Sequence, residues 1–105
     1  MTREEALVLL IDGMNYAAYK ETGSSLHDSD MNRLFGSENY VSGRPVYEPS
    51  PWMGEDFEQK MATLLGWASG LNHWVPEFRN AKQLLEDEDS PMGRVIRYAK
   101  RQQAK

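Results

Sequence analysis

At 105 residues the chain has the length of one domain and can bury roughly 60–65% of its unfolded surface, enough for a modest core. It has no cysteine, which excludes disulfides and thiolate metal sites. Its longest apolar run, Ala6 to Ile11, falls far short of the roughly 20 residues that span a bilayer. The net charge is −4, but it is unevenly placed. The first ninety residues hold seven basic and sixteen acidic side chains, the last fifteen five basic and none acidic, so the chain divides into −9 and +5. No charged-then-apolar leader opens it, and the expectation is a cytoplasmic domain over 1–105 with no membrane association.

Thr2 and Glu5 form a Thr-x-x-Glu capping box, and Leu7, Leu10, Ile11, Met14 and Ala18 recur at helical spacing behind it. The first helix is expected from about Arg3 to Glu21, stopped by Gly23. Gly13 in its middle costs about 1 kcal/mol relative to Ala and marks either a close helix crossing or nothing. A short helix carrying Met31, Leu34 and Phe35, capped by Ser29 or Asp30 and stopped by Gly36, follows a polar turn. Residues 37–49 carry two Gly/Pro interruptions and form a long irregular loop or a small hairpin near Ser42-Gly43. Ser50-Pro51 reads as a serine cap with proline at the first helical position, ahead of an apolar face of Phe57, Met61, Leu64, Leu65 and Ala68 that ends at Gly70. Another helix begins at Pro76 and carries Phe78, Ala81, Leu84 and Leu85. The acidic run Glu86 to Asp89 stands unfavourably at that helix's negative end and should unwind it. Ser90-Pro91 then opens a final helix to about Gln102. The fold class expected is all-α, a small bundle of about four helices with one long irregular loop at about 37–49.

The final helix carries the sharpest pattern. At 100° per residue, Arg94, Arg97, Tyr98, Arg101 and Lys105 fall within about 100° of arc, opposite Met92, Val95, Ile96 and Ala99. One face docks on the core while the other presents cations with a tyrosine among them. Such a face suits carboxylates or phosphates, although a solvated surface helix with cations at its C-terminus looks the same. The tight Ser90-Pro91 turn is expected to limit neutralisation by the 86–89 run. Trp52, Trp67 and Trp74 occur within 23 residues. Most readily they cap a small core, but Trp67 stands off the apolar face of its helix, and Trp67 or Trp74 would serve as an interface anchor if exposed.

Metal and catalytic chemistry find little in the sequence. Asp28-x-Asp30-x-Asn32 begins a calcium loop, but Arg33 stands where glycine is required and Asn39 where glutamate is. His73 and Glu77 are four apart with Pro76 between them. His27 beside Asp28 is a lone pair in a polar stretch, and Glu55, Asp56 and Glu58 are explained by the positive end of a helix dipole. No nucleophile and base are legible together, so no catalytic, cofactor or metal residues are assigned. The function expected is that of a small non-catalytic binding or regulatory protein, an adaptor or an inhibitor of the compact kind phages encode, acting on a protein partner. The alternative is a nucleic-acid-associated protein using the basic C-terminal helix. Broad apolar arcs on the first helix and the 55–69 helix are also compatible with a homodimer.

Overall fold

The computed structural model describes residues 1–35, 56–70 and 75–103. The expected loop at 37–49, the Ser50-Pro51 start, Trp52, His73, Trp74 and Lys105 lie outside these residues. The described chain is all-α, with five helices: α1 (Arg3–Thr22), α2 (Asp28–Leu34), α3 (Phe57–Ser69), α4 (Val75–Leu85) and α5 (Pro91–Gln103). The expected short helix carrying Met31 and Leu34 is α2, which brings the helices to five against a bundle of about four.

The ends of α1 follow its sequence signals. Glu5 N–H donates to Thr2 Oγ1 and Thr2 N–H to Glu5 Oε1, each at 3.1 Å, closing the capping box. Gly23 ends the helix in the left-handed region at φ 79°, returning its N–H to Tyr19 O. The amide of Leu26 then donates to Asn15 Oδ1 at 2.7 Å, which turns the chain back along α1. At α2 the expected cap is corrected. His27 is the N-cap, and its amide donates to the fully buried Asp30 carboxylate at 3.1 Å, so the helix starts earlier than a Ser29 or Asp30 cap would place it. Arg33 reaches across to lie 4.1 Å from the Phe57 ring centroid, tying α2 to the first turn of α3.

The core lies where α1 meets α3 and α4, and where α3 meets α5. Leu7, Leu10, Ile11, Met14 and Ala18 face it from α1, and Phe57, Met61, Leu64, Leu65 and Ala68 from α3. Phe78, Ala81 and Leu85 close it from α4, and Met92, Val95 and Ile96 from α5. Each large side chain among these contributes about 1.5–3 kcal/mol by leaving water. None of the described helices is long and apolar enough to cross a membrane.

Three glycines show how closely the helices approach. A Cβ on Gly13 would stand 2.6 Å from Phe78 Cε2, so the missing side chain lets α4 press its buried ring onto α1. On Gly93 a Cβ would run into the Glu88 carbonyl and stand 3.1 Å from Leu85 O, both backbone atoms that cannot swing aside. At Gly66, in the middle of α3, no described residue beyond the adjoining stretch of helix comes within 4 Å of where its Cβ would be. Gly13→Ala and Gly93→Ala should therefore each lower the unfolding free energy by about 1–3 kcal/mol, Gly93→Ala the more because backbone must move. Gly66→Ala should raise it by about 0.5–1 kcal/mol through helix propensity alone. Urea unfolding of the three variants separates the two classes by sign.

Candidate functional site: a basic groove between α3, α4 and α5

Of the cations expected to face solvent from α5, Arg94 and Arg101 are exposed and Arg97 is half-buried. α4 stops at Leu85, and the acidic run forms the turn to α5, as the helix dipole requires. Ser90 caps α5 by accepting the Gly93 amide at 3.1 Å, and its own hydroxyl donates to Glu88 Oε2 at 2.8 Å. Arg97 then reaches back over this turn. Its Nη1 donates to Glu86 O at 2.7 Å and Glu88 O at 2.9 Å, supplying the carbonyls past the end of α4 with a charged donor. Lys100 Nζ lies 2.6 Å from Glu86 Oε1, and Arg94 Nε 3.2 Å from Glu58 Oε1 on α3. From the other end of the sequence, Arg3 Nε donates to the Glu88 carboxylate.

This corrects the expectation that the turn limits neutralisation. The Glu86 side chain meets Lys100, the Asp89 side chain lies 3.9 Å from Arg94, the carbonyls of Glu86 and Glu88 take Arg97, and Glu58 comes from a different helix. Among the described residues of α5, Arg97 and Arg101 are the cations without a carboxylate partner; Arg97 donates to turn carbonyls, and the Arg101 guanidinium lies 5.7 Å from the Tyr98 ring. Tyr98 is half-buried and packs against the core beside Ala99. Trp67 is 38% exposed, and Trp74 and Lys105 lie outside the described residues. Arg94 and Arg101 thus stay exposed, while Arg97 is held by turn carbonyls and Tyr98 packs against the core.

Positive charge instead collects in a groove the sequence did not suggest. Between α3, α4 and α5 lies a cavity of about 230 Å³ with Leu65, Ile96 and Ala99 as its apolar floor. Arg79, Lys82, Lys100 and Glu86 line its walls. A second depression of about 350 Å³ continues along α3 and α5, between Thr63 and Gln59 on one side and Tyr98 and Gln102 on the other. Gly66 and Ala99 line both, so the two depressions adjoin and are together termed the groove. Lys82 is half-buried and donates to Ser69 Oγ at 3.0 Å, while Ser69 donates to Leu65 O at 2.7 Å. Burial, and then the neighbouring Arg79, hold the Lys82 ammonium below the usual lysine range. The arrangement can hold an anionic group over an apolar floor.

Among the described residues no three His, Cys, Asp or Glu side chains come together as a metal site, and His27 serves as a helix cap. No family model, characterised protein or solved structure matches this chain. The one sequence signal for the groove was Lys82 itself, a cation on the flank of the Phe78/Ala81/Leu85 face.

Arg3 and, secondarily, Ser90 hold the Glu88 carboxyl below the usual carboxylate range. A lowered folded-state value stabilises the fold above the ordinary glutamate pKa of about 4.3, and that contribution disappears as pH falls through the folded value. Glu88→Gln should therefore lower the melting temperature at pH 7 and narrow the gap to the parent below about pH 4. The effect at pH 7 should stay within about 1 kcal/mol because solvent screens the pair. Melting curves from pH 3 to 7 provide the check.

Proposed function

We propose that this chain is a small non-catalytic binding protein, a cytoplasmic regulator, adaptor or inhibitor, that receives a segment of a protein partner in the α3–α5 groove. The observation that carries the proposal is Gly66. A glycine inside a helix costs about 1 kcal/mol relative to Ala, and unlike Gly13 and Gly93 it has no packing neighbour among the described residues. It lines both depressions, where a large side chain would intrude between them. Trp67 next to it is partly exposed and supplies the kind of aromatic that anchors interfaces. A groove with its flanking helices can offer about 800 Å², the share of a standard interface that one partner contributes. The missing cysteines suit a reducing compartment.

The nucleic-acid alternative draws less support. It needs Arg94, Arg97, Arg101 and Lys105 free to neutralise phosphates, yet Arg97 is bound to turn carbonyls and Arg94 to Glu58. The net charge of −4 also opposes long-range attraction to a polyanion.

Selection of displayed random peptides on the parent protein, with counter-selection on Gly66→Trp, tests the proposal. Converging peptides should bind the parent and lose at least tenfold in affinity for the blocked groove. Failure to converge, or equal affinity for both proteins, would contradict it. So would duplex DNA binding with a log–log salt slope of about −3 to −4, the mark of four phosphate contacts.

A further inference from the structure

We infer that the α4 end of the groove is an oxyanion site, built by Lys82 and Arg79, that takes the carboxylate of an acidic residue on the protein partner. This rests on the protein-binding role proposed for the groove and names the chemistry of what enters it.

The case begins with Lys82. One of its ammonium protons goes to the Ser69 hydroxyl, a neutral acceptor whose own proton is committed to Leu65 O. Its other near neighbour is the Phe78 ring, with the centroid 5.7 Å away. Among the described residues no carboxylate pairs with Lys82 or with Arg79, which stands one turn earlier on the same face. Glu86 is four residues beyond Lys82, at the spacing that favours an ion pair along a helix. The structure gives it to Lys100 across the groove instead. Two cations therefore share one pocket without a counterion, one of them half out of water. Burial and mutual repulsion both penalise Lys82 in its charged form. A carboxylate placed between Lys82 and Arg79 relieves both penalties and gains charge-assisted hydrogen bonds, including the two-pronged contact that a guanidinium offers.

The same surroundings favour a carboxylate over a phosphate. Glu86 on the rim carries a negative charge that repels a dianion more than a monoanion. The cavity of about 230 Å³ fits the end of an acidic side chain, smaller than the 300 Å³ or more of ordinary small-molecule sites. The adjoining depression past Gly66 gives the rest of a polypeptide room to run on.

Amide and side-chain NMR of the full chain, titrated with a blocked tripeptide holding a single Asp, tests the inference against inorganic phosphate and against sodium chloride at matched ionic strength. The tripeptide should produce saturable shifts at Ser69, Arg79, Lys82 and Lys100, and the Lys82 ammonium should titrate at higher pH when it is bound. Lys82→Met and the exposed Arg79→Gln should each weaken binding at least tenfold. The second variant keeps the test decisive if the first disturbs packing. Unsaturable shifts spread over Arg94 and Arg101, binding indifferent to both substitutions, or phosphate saturating at lower concentration than the tripeptide would each overturn the site. Groove-specific displayed peptides that ignore both substitutions would defeat this site while leaving the protein-binding role intact. Tripeptide binding with no groove-directed peptide would do the reverse.

Discussion

The turn from α4 into α5 sets how α5 presents its side chains to the groove. Its backbone is so close to the start of α5 that only glycine fits at position 93, beneath the Glu88 carbonyl. Ser90 caps the helix that leaves it, and Arg97 ties that helix back to the Glu86 and Glu88 carbonyls one turn later. Arg3 adds a clamp from α1 through the Glu88 carboxylate. Together these contacts fix the rotation of α5 about its axis. Val95 and Ile96 are thereby directed to the core, Arg94 toward α3, and Lys100 across the groove to Glu86.

That rotation resolves the charge asymmetry of the chain. A basic end and an acidic body could have met as scattered surface pairs, each worth at most about 1 kcal/mol. Arg94–Glu58 and Arg94–Asp89 are pairs of that kind, with both partners well exposed. Arg97 differs, because it is partly buried and brings a charged donor to the turn carbonyls of Glu86 and Glu88. Lys82 is the opposite case, partly buried with only neutral partners. Charge placed at such a disadvantage is a common property of binding sites, where stability is given up for recognition.

Local signals in the sequence located most of the fold. The Thr2/Glu5 box, Gly23 and Ser90-Pro91 mark helix ends by chemistry that acts within a few residues, and the structure places helix ends at all three. The apolar arcs of α1, α3 and α5 were equally legible, because burial follows helical period. The site was not. A helical projection gives the angle of Arg97 about its own axis but not that the end of α4 stands at that angle. Gly13 and Gly66 look alike in sequence, yet one faces Phe78 and the other meets none of the described residues. Lys82 became notable only when α3 and α5 enclosed it. Such facts depend on contacts between residues distant in the chain.

The most direct test of this arrangement is equilibrium urea unfolding of Arg97→Gln at neutral pH. If Arg97 is the donor that fixes α5, the variant should lose about 1.5–3 kcal/mol, the range for hydrogen bonds made by a charged group, with an unchanged denaturant slope. A loss within about 0.5 kcal/mol of the parent, typical of an ordinary surface substitution, would contradict it and return Arg97 to the exposed basic face that the sequence alone suggests.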